Sequence, residues 1–409
     1  MPDGTLYFYY SAFSTGMMPD LNYYHSAVCE TAPAFKAMLS SVDKWLAMGL
    51  DGLRLDAIKH IYGDESGGAG SENREFWQKF YNAVNNGGVV IGKNGNNEDI
   101  TNVGYKGNAS NPHRTNLAGT ADTNIFMVGE VLSDESNCKP FYGGLPAIFE
   151  FQFWWDLRTA LKNESKGSFV SGLCDRYYGH QTERSNAGQV GPAIATPKLA
   201  NHDEDRTASE LYYRHRIRQA ACILLTAPGR PFVYQGEELG YWGEASMGGD
   251  EYRRAPILWT SDISSAAIAG VNNKYDANML TSAISVASQE TDSESILTLY
   301  RRFAYARNTN PAMANGHPEY DNKTGRSDMD YCENRNEIMA WYMHENDGSH
   351  NCLVIHNISG SEQGVWRWPE DNVSEETILV ASDPIRFNSN GTATEVIMPP
   401  YSSVVFALN

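Results

Sequence analysis

The chain has 409 residues, and its 32 Lys and Arg against 50 Asp and Glu give a formal net charge of −18. This acidic balance argues against nucleic acid or an anionic membrane surface as a partner, because both need a basic face on the protein. An apolar content of 41% is too high for a disordered chain, and no run approaches the roughly 18 apolar residues of a membrane-spanning helix. The 23 Tyr and 9 Trp suit stacking on a neutral ligand such as a sugar, although core packing accounts for most of them.

The length predicts two to three domains, or one large barrel with an appended domain. Six cysteines without C-x-x-C spacing exclude a disulfide scaffold and argue against zinc, while one or two disulfides stay open. The first residues, MPDGTLYFYYSAF, lack the basic and apolar regions of a signal peptide.

Up to about residue 305, short buried strands alternate with amphipathic helices, the pattern of βα units on a parallel sheet. The predicted helices are Pro33–Met48, Glu72–Val84 and Tyr212–Leu225, and the predicted strands are Asp51–Leu55, Asn124–Val128, Ala147–Phe151, Pro197–Ala200 and Pro231–Tyr234.

Two further segments differ from this pattern. Residues 85–123 are rich in Gly, Asn, Ser and Thr, and they predict a long loop on the rim of a barrel. From about Pro311, apolar and alternating segments such as EIMAWYMH and NCLVIHNIS predict an antiparallel C-terminal β domain. We place the boundary near residues 308–316.

Three predicted strand ends carry acidic residues. Asp56 ends the strand in DGLRLDAIKH, with Arg54 on the same face two residues earlier, and an arginine there would keep a nucleophilic carboxylate ionised and oriented. Glu130 ends the apolar strand FMVGE, and apolar neighbours favour the protonated form that a general acid needs. His202 and Asp203 are adjacent in KLANHDEDR, after another apolar strand.

Each of these residues also has a purely structural explanation, as a helix cap, a solvated side chain or a hydrogen-bonded turn. Their common position favours catalysis, because barrel active sites are built at the carboxyl ends of the strands. Two carboxylates, one attacking and one protonating the leaving oxygen, are the minimum for retaining glycoside hydrolysis.

At these residues the sequence resembles the α-amylase family of glycoside hydrolases, and in particular the surface starch-degrading members of Bacteroides-type gut bacteria. The resemblance implies a (β/α)8 TIM barrel followed by a C-terminal antiparallel β-sandwich domain. The motifs that carry it, in order, are MPDLNY (18–23), DGLRLDAIKH (51–60), GEV (129–131), NHDEDR (201–206), YQGEELGYWG (234–243) and DEYRRAPILW (250–259).

The resemblance also implies roles for these side chains. Asp56 corresponds to the catalytic nucleophile, Glu130 to the general acid/base and Asp203 to a third carboxylate that stabilises the transition state. Substrate contacts would come from Arg54, which orients the nucleophile, from His202 on the sugar before the cleaved bond, and from Lys59 and His60 on the sugars after it.

Calcium is the one cofactor that the resemblance implies, as a structural ion. Asp20 and the backbone carbonyl of His60 match two of its ligands, and calcium prefers such oxygen donors. Asp20 could equally form a local turn before Leu21 and Asn22.

The sequence departs from the family at its start. Three βα strands, and a segment in which an Asp precedes an Asn-His pair by four residues, have no counterpart. We therefore expect residues 1–23 to be the tail of a protruding loop domain, residues 24–308 to be part of a barrel, and residues 309–409 to be the β domain. A barrel without three strands exposes two sheet edges, so we expect the isolated chain to be weakly stable and poorly active unless another chain completes it.

The favoured function is an endo-acting retaining hydrolase of α-1,4 bonds in starch or malto-oligosaccharides. An α-glucosidase or α-1,6-acting oligosaccharide hydrolase is a second hypothesis, and a non-catalytic glycan-binding scaffold is a third. Because starch is a polymer, we expect the parent enzyme to be secreted or bound to the cell surface. The oligomeric state stays open.

Overall fold

The computed structural model describes residues 20–62, 70–108, 124–261, 284–320, 335–391 and 393–408. The helices, in chain order, are α1 (Pro33–Ala47), α2 (Ser71–Asn86), α3 (Gly104–Gly107), α4 (Glu135–Cys138), α5 (Phe151–Asn163), α6 (Phe169–Asn186), α7 (Thr207–Leu211), α8 (Arg214–Thr226), α9 (Val286–Glu290), α10 (Ile296–Thr309) and α11 (Pro311–Asn315).

The strands follow the same order. They are β1 (Gly52–Leu55), β2 (Val90–Lys93), β3 (Asp99–Thr101), β4 (Phe126–Gly129), β5 (Ala147–Glu150), β6 (Ile194–Pro197), β7 (His317–Tyr320), β8 (Ile338–His344), β9 (Asn351–Asn357), β10 (Gln363–Arg367), β11 (Ile378–Ala381), β12 (Arg386–Ser389), β13 (Thr394–Met398) and β14 (Ser403–Leu408).

The chain divides into two compact units, and the first contains residues 1–149 and 179–194. In it, β1, β4 and β5 are neighbours in a parallel sheet, with Leu55 opposite Gly129. Helix α1 begins at Pro33, which suits the first helical position, and it buries an apolar stripe that contains Phe35 and Leu39. These predicted βα units are confirmed.

The second unit contains residues 150–178 and 195–409. Its first part carries α5, α8 and α10, whose buried faces share one hydrophobic core with the C-terminal strands. The strand predicted at Pro231–Tyr234 is reduced to a single parallel bridge between Lys198 and Phe232, and the strand predicted at Pro197–Ala200 lies three residues earlier, as β6.

The C-terminal part forms two antiparallel sheets, ordered β11-β14-β9-β8-β7 and β10-β13-β12. Strand β8 is buried on both faces. Met339 and Trp341 point into the core shared with the helices, whereas Ile338 and Ala340 point into a second core shared with the three-stranded sheet. Double burial explains why this strand is almost continuously apolar. The predicted antiparallel β domain is confirmed.

The prediction of one long loop over residues 85–123 is wrong in its described part. Helix α2 continues to Asn86, β2 and β3 pair as an antiparallel hairpin, and α3 follows them. Both hairpin strands are largely exposed, so they lack the alternating apolar residues by which a strand is recognised. Residues 109–123 of this segment, and residues 1–19 of the predicted tail, lie outside the described residues.

Five of the six cysteines lie in the described part of the chain, and all five are buried free thiols. Within the same residues no helix combines the length and the apolar character needed to cross a lipid bilayer.

Candidate active site

The first unit brings Asp56, Glu130 and Arg54 together at the carboxyl ends of β1 and β4. Arg54 Nη1 donates a hydrogen bond to Asp56 Oδ1, and Arg54 Nη2 lies 3.0 Å from Glu130 Oε2. One guanidinium therefore contacts both carboxylates. The sequence predicted the contact with Asp56 but not the contact with Glu130, which depends on the pairing of β1 with β4.

The backbone after Asp56 also contacts Glu130. Ala57 adopts the left-handed conformation, with φ 46° and ψ 43°, which is strained for a residue with a Cβ. In this conformation its N–H lies 3.3 Å from Glu130 Oε2 and donates to it. The Glu130 N–H in turn donates to the Leu55 carbonyl at 2.9 Å, and Ile58 N–H donates to the Glu130 carbonyl at 3.1 Å.

The two carboxylates differ sharply in exposure. The Asp56 side chain is 74% exposed, whereas that of Glu130 is 11% exposed. Burial raises the pKa of Glu130 above its usual value, and the Arg54 guanidinium and the Ala57 N–H oppose that shift, while the Asp56 carboxylate adds to it. A buried carboxyl group next to an exposed carboxylate is the asymmetry that separates a proton donor from a nucleophile.

Gly129 lets β4 approach the segment that follows Asp56. A Cβ at this position would lie 2.5 Å from Ile58 Cδ1 and 3.0 Å from Leu145 Cδ1. A side chain at this position would therefore push these neighbouring methyl groups aside immediately before Glu130.

Lys59 and His60 lie in a short 3-10 helix, Ile58–His60. The carbonyls of this turn are engaged by α2, since Trp77 Nε1 donates to Ile58 O at 2.8 Å and Asn73 Nδ2 donates to Lys59 O at 2.7 Å. Lys59 Nζ donates to the carbonyl of Leu132 at 3.3 Å. Both predicted substrate residues are thus fixed in a short turn that follows Asp56.

In the second unit, His202 and Asp203 follow β6 as predicted. His202 Nε2 lies 3.0 Å from Asp203 Oδ2, and Asn201 Oδ1 accepts the Asp203 N–H at 2.9 Å, which forms a side-chain-capped turn. Both ring and carboxylate are 42% exposed, so they are accessible to a ligand.

Two arginines that the sequence assigned no role hold Asp203. Arg254 Nη2 donates to Asp203 Oδ1 at 2.9 Å, and Arg254 Nε donates to the His202 carbonyl at 3.1 Å. Arg253 donates to the Asp203 carbonyl, and Asp250 pairs with both arginines. The motif DEYRRAPILW contains both arginines. The sequence does not show that Arg254 contacts Asp203, because the two residues are 51 positions apart.

Calcium binding by Asp20 and the His60 carbonyl stays a prediction. Asp20 is half-buried near Tyr23, whose pKa is raised by burial and by the Asp20 charge. Within the described ranges, no three His, Cys, Asp or Glu side chains gather as metal ligands.

Parallel βα units that end in a buried carboxyl group beside an exposed carboxylate, followed by an antiparallel β domain, define a barrel glycoside hydrolase. The chain belongs to the α-amylase family. The profile described as Alpha amylase, catalytic domain, matches residues 3–316, and the profile described as Alpha-amylase SusG C-terminal domain matches residues 338–405.

Two curated relatives match almost the whole chain. Alpha-amylase SusG of Bacteroides thetaiotaomicron is 32% identical over 98% of this chain and 51% of its own length. Alpha-amylase 3 of Dictyoglomus thermophilum is 27% identical over 97% of this chain and 65% of its own length. The chain thus spans between about half and two thirds of these relatives.

Solved structures agree on the fold. The α-amylase from H. orenii superimposes with a TM-score of 0.68 over 98% of this chain and 68% of its own, at 23% identity. Eubacterium rectale Amy13B gives the same TM-score over 97% of this chain and 66% of its own, at 19% identity. The predicted barrel fold with a C-terminal β domain is confirmed.

Proposed function

We propose that the chain carries the catalytic machinery of a retaining, endo-acting hydrolase of α-1,4-glucosidic bonds in starch. The observation that carries the proposal is the shared Arg54 contact between exposed Asp56 and buried Glu130. Because both carboxylates contact one guanidinium, they lie near each other, as the attacking and the protonating group of a retaining enzyme must.

The proposed reaction uses Asp56 as a carboxylate and Glu130 as a protonated acid. Asp56, oriented by Arg54, attacks the anomeric carbon while protonated Glu130 gives its proton to the glycosidic oxygen, so that the leaving chain departs as an alcohol. In the second step Glu130, now ionised, takes a proton from water, and that water displaces Asp56 with net retention. The Arg54 charge and the Ala57 N–H stabilise the ionised Glu130 between the steps.

Asp203 supplies the third carboxylate in this proposal, with His202 as a hydrogen-bond partner of the same sugar. Its two oxygens are held by Arg254 and His202, so its orientation is set before substrate binds. Lys59 and His60 line the binding positions for the leaving chain.

The substrate assignment rests on relatives. SusG and alpha-amylase 3 are both named α-amylases, and they are more similar to this chain than the Culex pipiens α-glucosidase, at 22% identity, or the probable oligo-1,6-glucosidase 2 of Bacillus subtilis, at 21% over half of the chain. We also propose a secreted or cell-surface location, because a starch polymer is accessible there.

The decisive variants are Asp56→Asn and Glu130→Gln. Each removes one charge or proton with little change in shape, so we expect starch hydrolysis to fall by at least about 10²–10⁴-fold with an unchanged circular dichroism spectrum. Reducing-end release from amylose is the measurement. Asp99→Asn, an exposed carboxylate in the β2–β3 hairpin, is the matched control.

Product analysis separates the remaining hypotheses. An endo-acting α-1,4 enzyme releases mixed malto-oligosaccharides from amylose and leaves isomaltose intact. Glucose as the first product, or rapid cleavage of isomaltose, would replace the proposal with an exo-acting or α-1,6-acting hydrolase. Binding of malto-oligosaccharide with no turnover would indicate a scaffold.

A further inference from the structure

A cavity of about 520 Å³ lies in the first unit at the end of β4 opposite to Glu130. It is formed by the last turns of α2, by Asn124 just before β4, and by residues 188–190 after α6. Its volume is within the roughly 300–1,000 Å³ of small-molecule sites. None of the residues assigned to catalysis lines it.

Helix α2 contributes a stripe of carboxamides to this cavity. Gln78, Asn82 and Asn86 are spaced four residues apart, so they lie on one face of the helix. None of the hydrogen bonds among the described residues uses these three side-chain amides. Each amide can therefore both donate and accept without breaking an existing contact.

Asn124 and Tyr81 also line the cavity. Asn124 Oδ1 is buried and accepts no hydrogen bond from any described residue, so it is an acceptor that a donor on a ligand can satisfy. Tyr81 is a buried lining residue, 5% exposed.

The walls of the cavity are held by buried contacts. Arg184, 2% exposed, donates from Nε to the Gly191 carbonyl and from Nη2 to the Val190 carbonyl, each at 3.0 Å. Asn85 donates to the Tyr81 carbonyl and accepts the Ile125 N–H, each at 2.8 Å. A site that is fixed before the ligand arrives loses less entropy on binding.

The lining suits a polyhydroxylated ligand. Its described residues include no carboxylate, and its polar groups are mainly carboxamides, with Lys106 as the one charged group. Hydroxyl pairs on a sugar ring both donate and accept, and carboxamides do the same. We propose that this cavity is a second binding site for an α-glucan chain, where Gln78, Asn82, Asn86 and Asn124 bind the sugar hydroxyls; the identity of the glucan rests on the proposed function.

The test uses the exposed pair Asn82→Ala/Asn86→Ala in a Glu130→Gln background, with maltoheptaose titration and migration in native gels that contain amylopectin. Losing the amide hydrogen bonds should weaken retention by amylopectin by about tenfold and remove one of two maltoheptaose sites. Asn163→Ala removes an exposed carboxamide at the end of α5 and is the matched control, which should behave as the background protein.

A third measurement separates this inference from the proposed function. With Glu130 restored, the double variant should hydrolyse a chromogenic maltotrioside with unchanged kcat/KM and unfold at the same temperature. If the double variant hydrolyses the maltotrioside and amylopectin still retains it as strongly as the background protein, the second binding site is overturned and the proposed function stands. Absence of maltotrioside hydrolysis in the unsubstituted protein would instead overturn the proposed function.

Discussion

Arg54 has a double effect at the scale of single residues. It orients Asp56, and its positive charge lowers the pKa of Glu130. Burial of Glu130 raises the same pKa. The net pKa of Glu130 is raised. An acid with a raised pKa stays protonated to higher pH, so the loss of activity on the alkaline side should report its ionisation.

Replacement of Arg54 tests this balance. Arg54→Gln removes the positive charge that favours ionised Glu130, so the pKa of Glu130 should rise further. The alkaline limb of kcat/KM against pH should therefore move to higher pH, while kcat falls about 10-fold or more because Asp56 loses its partner. Arg301→Gln, which removes an exposed arginine paired with Glu290, is the control. An unmoved or downward-shifted limb would contradict the role given to Arg54.

The pair of Asp203 and Arg254 shows a similar arrangement in the second unit. Arg254 bonds one oxygen of Asp203 and also the His202 carbonyl, so the side chain and the backbone of the turn are held together. The sequence motif contained this arginine, but no local pattern connects residues 51 positions apart.

At the scale of elements, β1 and β4 set the geometry of the carboxylates. Their parallel register places Leu55 opposite Gly129, so that Asp56 and Glu130 leave adjacent strands at the same level. The absence of a Cβ at Gly129 then allows Ile58 to pack against the end of β4.

Gly129→Ala tests this packing. Its new methyl group would overlap the end of the Ile58 side chain, and we expect a loss of about 1–3 kcal/mol in the free energy of unfolding. Activity should fall as well, because Ile58 and Ala57 both bond Glu130. Chemical denaturation and kcat are the measurements. Gly92→Ala in β2, where nothing lies within 4 Å of the new Cβ, should be close to neutral.

At the scale of the whole molecule, the C-terminal strands take part in two cores. Strand β8 contacts helices of the second unit on one face and the three-stranded sheet on the other. The β domain therefore contributes to the same hydrophobic core as α5, α8 and α10, and changes in either part should affect the stability of both.

Calcium binding remains a prediction, and its expected effect is on the stability of the whole fold. If Asp20 and the His60 carbonyl bind the ion, calcium at about 100 times its Kd should stabilise the fold by about 2.7 kcal/mol, and EGTA should reverse the rise in Tm. Asp20→Asn should abolish the calcium-dependent part only. Magnesium is the matched control, because it tolerates irregular oxygen sites poorly. A Tm that is unaffected by calcium and by EGTA would contradict the predicted calcium site.

Sequence patterns alone identified the helices α1 and α2, the parallel strands around Asp56 and Glu130, and the antiparallel C-terminal strands. These features depend on local periodicity and on motifs in one stretch of chain, so they are readable without coordinates. The exposed hairpin after α2 escaped detection because its strands bury little apolar surface.

Tertiary structure decided what those residues contact. The contact of Arg54 with Glu130, the pairing of Arg254 with Asp203, the two-sided burial of β8 and the carboxamide-lined cavity all join segments distant in sequence. The sequence motifs identified the candidate carboxylates, because few residue types can act as a nucleophile or as a general acid. Their protonation and orientation are set by burial and by partners that only the folded chain brings near.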